Sequence, residues 1–171
     1  MKNNLIVLVI AIAIASPLAA GAPRILEGTV SAADLEAVQL DAGVGDIDIV
    51  AVKGGLEVSV EVRLKPRRGG FFSSLKTAQA EVDEAELRMD VAKGILRIEV
   101  ETDSDDRHFE ETWTLELPAR LDFNLDLGVG DVDVRGLSGG LTADIGVGDL
   151  VAEDVSGDIE IDIGVGAASI Q

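Results

Sequence analysis

The sequence predicts an all-β protein built as a β-solenoid, a β-helix-like stack of coils of about 18 residues, each made of two nine-residue half-repeats. Three observations predict it. The tripeptide Gly-Val-Gly recurs at 43–45, 128–130, 146–148 and 164–166, and its last three copies are spaced by 18 residues. Gly130, Gly139, Gly148, Gly157 and Gly166 lie nine apart, and each opens a short phrase (DVDV, GLTA, DLVA, DIEI, AASI). The second and fourth positions of each phrase are apolar, with Ala168 the small member in the last, and such alternation between glycines is the pattern of a strand with one buried face. A coil this short cannot bury its own inward face, so successive coils must stack and share a core. Composition is the third observation: 47% of the chain is hydrophobic but only 3% aromatic, so Val, Ile, Leu and Ala must fill that core.

The chain divides in order. Residues 1–21 read as a secretory signal peptide, in which Lys2 gives a positive start and Leu5 to Ala15 an unbroken apolar run. Ser16-Pro17 breaks the run, and the small residues Ala19, Ala20 and Gly21 follow. That apolar run is far shorter than the roughly 20 residues that span a bilayer, so no integral span is expected after cleavage. Residues 22–171 read as a single domain. Its first coil is LDAGVGDIDI at 40–49, with Gly45 and Gly54 again nine apart. A β-rich insertion is expected over about 56–117: a strand from Leu56 to Leu64, a loop from Pro66 to Phe72 and a short helix over 74–85. A hairpin about Lys93-Gly94 then joins the alternating Leu87, Met89 and Val91 to Ile95–Val100, and a strand Thr112–Leu117 stops at Pro118. Repeats fill about 121–171, opening with Leu121, Phe123, Leu125 and Leu127 alternating with Asp122, Asn124 and Asp126.

Charge narrows the function classes. The chain has 14 Lys+Arg against 32 Asp+Glu; loss of residues 1–20 removes one Lys and no acid, leaving 13 against 32 and a net charge of −19. Such a surface repels nucleic acid and anionic headgroups. Without cysteine there is neither a disulfide framework nor thiol chemistry. A single histidine and no Gly-rich phosphate loop opening a helix leave metal-hydrolase and nucleotide chemistry without parts, so no cofactor is implied.

The phrase ETWTLELP (111–118), then ARLDFNL (119–125), then repeated Gly-x-Gly-Asp-Ile/Val-x-Val units resembles the bacterial putative-adhesin domain family, and is similar also to head-GIN-type domains of envelope proteins. The resemblance covers about residues 26–171. It implies a β-solenoid-like fold outside the cytoplasm and carries no catalytic residues. Gly-Val-Gly stands here where Gly-Ser-Gly is commoner at the corners of that family.

Several residues are candidates for chemistry. Nonapeptide Gly/Asp repeats suggest a calcium β-roll, but its ligand position is filled here by Val132, Leu150 and Ile159, aliphatic residues that face inward. What remains for a cation are outward columns: Asp131 with Asp149, joined by Asp46 if the first coil adjoins, and Asp126 with Asp144 and Asp162. Rungs ~4.8 Å apart place like charges at a cost of only ~0.9 kcal/mol in water, so a solvated acidic face needs no metal. Asp131 with Asp133, and Asp158 with Glu160, are acid pairs of the kind glycan-cleaving β-helices use, yet alternation alone produces them. His108 reads as a solvated loop residue and Trp113 as core. Arg67, Arg68, Phe71 and Phe72 join dense positive charge to adjacent aromatics and form a candidate partner contact.

The expectation is a non-enzymatic exported envelope module, periplasmic or at the cell surface, meeting an envelope protein or glycan and no nucleic acid. The alternative is a secreted, calcium-linked acidic repeat. A chain that stops one partial coil past the last repeat, at Ile170-Gln171, leaves a strand edge for self-association.

Overall fold

The computed structural model describes residues 22–67, 75–103 and 107–171, so the signal-peptide reading of 1–21 lies outside the described residues. Alternating apolar residues give twelve strands among them: β1 (Arg24–Ser31), β2 (Ala37–Val52), β3 (Glu57–Pro66), β4 (Glu86–Ala92), β5 (Ile95–Glu101), β6 (Phe109–Pro118), β7 (Asp122–Val129), β8 (Val132–Arg135), β9 (Leu141–Val147), β10 (Leu150–Glu153), β11 (Ile159–Val165) and β12 (Ala168–Ile170). One helix, α1 (Leu75–Glu84), falls where the sequence predicts it and buries Ala78 and Val82. Arg24 Nη1 caps its last turn, donating to the carbonyls of Val82, Asp83 and Ala85 at 2.9, 2.7 and 2.8 Å.

The all-β expectation holds, in a mixed sheet system that does not close on itself. Long strand β2 organises it by serving two sheets. Its first half, Ala37–Val44, pairs in parallel with β5 on one side and β7 on the other. Its second half, from Gly45, does the same with β6 and β8. Beyond β7 and β8 every parallel pairing is offset by 18 residues: Phe123 faces Leu141 and Leu141 faces Ile159, while Val132 faces Leu150 and Leu150 faces Ala168. The period read from glycines is therefore the hydrogen-bonding register.

Strands of residues 57–118 lie on the other flank of β2. There β6 pairs with β3 and β3 with β1, both antiparallel, and β4 closes the second sheet against β5. Lys93 (φ 53°) and Gly94 (φ 79°) turn that hairpin with two positive-φ residues, as a tight two-residue turn requires. The first strand, β1, has no counterpart in the sequence reading. Its inward positions are Leu26, Gly28 and Val30. Gly28 breaks the aliphatic pattern because Met89 Sδ occupies the place of its missing side chain.

Inward faces of both sheets merge into one hydrophobic cluster, from Leu26 and Val30 through Leu40, Ile49, Leu115 and Trp113 to Leu141 and Leu150. Trp113 is fully buried, as alternation with Leu115 and Leu117 requires. Burial fades toward the last coil, where Ile159, Ile161 and Ile163 are only partly covered and Ile170 is 54% exposed.

Candidate functional site

The chain crosses from one sheet to the other at the Gly-Val-Gly corners, and these corners set the geometry of every outward column. Gly45, Gly130, Gly148 and Gly166 all have φ between 146° and 157°. A Cβ on Gly130, Gly148 or Gly166 would overlap the carbonyl oxygen of the corner glycine one rung before it. The other glycine of the tripeptide is as constrained: a Cβ on Gly128 or Gly146 would lie 2.5 Å from the carbonyl oxygen of Gly43 or Gly128. Backbone stacks directly on backbone, so only glycine fits on either side of Val129, Val147 and Val165; a Cβ on Gly43 would meet only side chains, Arg107 Nη1 nearest at 3.4 Å.

Just past each corner stands an aspartate, and the structure gives this column a job that sequence reasoning missed. Asp46 Oδ1 accepts from the backbone N–H of Asp131 at 3.3 Å, and Asp131 Oδ1 from that of Asp149 at 2.9 Å. Asp149 Oδ1 accepts in turn from Ala167 at 2.8 Å. Each carboxylate thus closes a backbone donor of the next rung, which explains an acidic residue at this position without a ligand. The ladder includes the first coil, because Ile47 pairs with Val132 and so brings Asp46 beside Asp131. At Ala167 no side-chain acceptor follows. The same device recurs at the opposite corner, where Asp122 Oδ1 accepts from Gly140 N–H at 2.7 Å.

The second predicted column also forms, and is longer than the sequence suggests. Asp126, Asp144 and Asp162 are in register, Asp41 joins them ahead of Asp126, and Glu99 stands beside Asp41. All four aspartates are exposed. Among the described residues no three His, Asp or Glu side chains converge on a point where a metal ion could sit. Of the acid pairs, Asp133 is drawn to Arg135 at 3.3 Å, and Arg135 also reaches Asp48 at 3.1 Å and Glu153 at 3.5 Å. Asp158 and Glu160 border a depression of about 520 Å³ with Asp122, Asn124 and Thr142.

One buried acid stands apart. Glu111 is 1% exposed, and burial pushes its carboxyl up, opposed by a hydrogen bond from Trp113 and by the charge of Arg107. Trp113 Nε1 donates to Oε2 at 2.8 Å and Arg107 Nη1 to Oε1 at 3.1 Å. Backbone N–H of Gly43 is a further donor, so Glu111 ties β6 to the first corner. Sequence patterning carries a signal for this residue: Glu111, Trp113, Leu115 and Leu117 share one phase, and a Glu in an inward phase needs partners.

His108 corrects the sequence reading. It is not a free loop residue: Nδ1 lies 2.9 Å from Glu81 Oε1, and its backbone N–H donates to Glu81 Oε2 at 2.9 Å, pinning α1 to the start of β6. Of the basic-aromatic candidates, Arg67 is exposed and its backbone N–H donates to the carbonyl of His108 at 2.8 Å. Arg68, Phe71 and Phe72 lie outside the described residues.

Between the two aspartate columns runs an apolar line. Val44, Val129, Val147 and Val165 are in register, one per rung. The last three are 44%, 45% and 66% exposed. At its head is a depression of about 310 Å³ lined by Val44, Val129, Asp46, Glu110, Glu111 and Thr112, with the two corner glycines between them.

No family model matches the chain, and no curated protein matches it. Among solved structures, a putative cell adhesion protein from Clostridium sporogenes is similar at 12% identity over 87% of this chain and 99% of that one, with a TM-score of 0.47. A putative adhesin from Parabacteroides distasonis is similar at 15% identity over 86% and 65%, with a TM-score of 0.43. A putative lipid binding protein from the same organism is similar at 14% identity over 88% and 74%, with a TM-score of 0.36. No helix of the described residues is long and apolar enough to cross a membrane.

Proposed function

We propose that this chain is a non-enzymatic, exported cell-envelope module of adhesin type, in which a β-solenoid domain over 22–171 presents repeated surface columns to a protein or glycan partner. One observation carries the reading: the 18-residue register, which makes every outward position recur at each rung. A surface of that kind offers linear arrays for contact, whereas acid–base catalysis needs unlike groups converging on one atom. Export to the periplasm or cell surface rests on the signal-peptide pattern of 1–21, and the net charge of −18 disfavours nucleic acid as the partner. The segment with Arg67, Arg68, Phe71 and Phe72 is a second contact in this reading. Self-association through the one-sided strands β11 and β12 is a third, supported by the partly covered Ile159, Ile161 and Ile163.

Excising one whole unit, residues 140–157, tests the architecture. Gly139 then meets Asp158 in the same phase, and the shortened chain is expected to unfold in one cooperative transition with its strand signature intact. Loss of cooperative folding would refute the solenoid. Labelled protein added to isolated envelopes is expected to bind saturably, and turnover of envelope glycan by pure protein would refute the non-enzymatic reading.

A further inference from the structure

The valine line is the feature the fold does not account for. Both glycines beside Val129, Val147 and Val165 are imposed by backbone contact, the aspartate after the corner closes a backbone donor, and the inward positions fill the core. Valine at the corner does none of these, and Val129, Val147 and Val165 leave 44–66% of their surface to water. Extended backbone favours a β-branched residue there, but threonine meets that preference equally and is better hydrated. Repetition over four rungs makes a continuous apolar ridge spanning three ~4.8 Å steps, about 14 Å.

Charge around the ridge selects the partner. Asp41, Asp126, Asp144 and Asp162 run along one side, three residues before each valine, and Asp46, Asp131 and Asp149 along the other, two residues after. At the head of the ridge, the 310 Å³ depression sets Val44 and Val129 beside Asp46 and Glu110. Two valines with the Asp46 and Glu110 carboxylates around one depression suit a Lys or Arg side chain, whose stem packs while its head meets the acids. A second copy of this chain would set like-charged aspartate columns against this ridge, so the ridge does not suit self-association.

We propose that the valine ridge is a docking surface for a basic amphipathic peptide segment of another protein, its apolar stripe on Val129, Val147 and Val165 and a Lys or Arg in the depression at Val44. A helix covers the ridge with about nine residues at 1.5 Å per residue. The proposal rests on the reading of the chain as a binding module and names the chemistry of its partner.

The probe is a labelled Leu/Lys peptide with leucine on one helical face, titrated with the full chain by fluorescence anisotropy at about 0.15 M salt. A control peptide keeps every lysine and replaces leucine with glutamine. The intact chain is expected to bind the Leu/Lys peptide, and V129T/V147T/V165T to weaken that binding about tenfold, near 1.4 kcal/mol, with an unchanged melting temperature. Binding of the glutamine peptide should be weak and equal for both proteins. D126N/D144N/D162N should weaken binding and flatten its salt dependence. If the triple valine variant melts early, V165T alone, at the most exposed rung, carries the comparison. Unchanged affinity in the valine variants overturns the proposal, because simple charge attraction then accounts for binding. Failure of the folded wild-type chain to bind the probe also overturns it, while the module reading stands or falls separately on the unit deletion and envelope binding.

Discussion

Replacing Gly130 with alanine tests the claim that the corners are built by backbone stacking. The φ of Gly130 is 151°, in the region that L-residues rarely adopt, which costs about 1–3 kcal/mol for any side chain. Its new Cβ would also overlap the carbonyl oxygen of Gly45, and no side-chain rotation relieves a clash with backbone. The rungs must therefore separate locally. That weakens the bonds from Ile47 N–H to Asp131 O at 2.9 Å and from Asp131 N–H to Asp46 Oδ1 at 3.3 Å, each worth about 1 kcal/mol. Together these give roughly 3–5 kcal/mol. For a domain of this size, that is a fall in melting temperature of about 10 °C or more.

The informative control is Gly54→Ala. Gly54 has a φ of 75° but no atom within 4 Å of its missing Cβ, so it isolates the conformational term at about 1–2 kcal/mol. Gly164→Ala is intermediate, since its Cβ would sit 2.7 Å from Gly146 O but its φ is not in the positive region. Thermal unfolding followed by circular dichroism should rank the losses Gly130 above Gly164 above Gly54. A Gly130→Ala shift no larger than that of Gly54→Ala would refute the stacking argument.

Other outcomes follow from the same contacts. Asp131→Ala should cost about 1 kcal/mol in urea denaturation by orphaning Asp149 N–H, whereas Asp131→Asn keeps the acceptor and should match wild type; equal losses would remove the ladder's role. Glu111 has a folded pKa above its unfolded value, so the folded state holds the proton more tightly. Its contribution to stability is therefore fullest below the ordinary carboxyl range and declines as pH rises through the folded pKa. Wild-type stability minus that of Glu111→Gln should fall as pH rises above the ordinary carboxyl range, and a rise would contradict the assignment. Millimolar calcium should leave the melting temperature unmoved, because the Asp131 and Asp149 carboxylates already hold backbone donors; a large rise would restore the cation reading. If β11 and β12 mediate self-association, sedimentation should show it strengthening with salt, as screening relieves repulsion between chains of charge −18; a strict monomer at all salt concentrations removes it.

What the sequence made legible was whatever has a period. The register of β7 to β12 follows from the spacing of Gly130, Gly148 and Gly166, and the pairing of Val132 with Leu150 and of Leu141 with Ile159 could be written down in advance. Single events were not legible. Strand β1 hides behind Gly28, whose reason is the sulfur of Met89, sixty-one residues away. The placement of β5 and β6 beside β2 depends on pairing between strands of unrelated sequence, which no local pattern encodes. Aspartate columns were visible as columns, but their use as acceptors for the next rung needs the actual N–H to carboxylate distances. His108 failed for a similar reason, since its partner Glu81 lies on a helix 27 residues earlier.

The repeat also sorts its own positions by how much freedom each retains, and this bears on where function can reside. In the unit from Leu125 to Val134, Gly128 and Gly130 are fixed by backbone contact, and Leu125, Leu127, Val132 and Val134 are fixed by burial. Asp131 is fixed by a hydrogen bond to the next rung. Asp126, Val129 and Asp133 remain; Asp133 pairs with Arg135 and gives way to Val151 on the next rung, whereas Asp126 and Val129, one charged and one apolar, are exposed and repeated at each rung of the stack. Folding alone would tolerate serine or threonine at either place. A protein that keeps carboxylate at one and valine at the other, in register over successive rungs, presents two parallel stripes of opposite character, and a partner that reads both must carry cationic and apolar groups at matching separation.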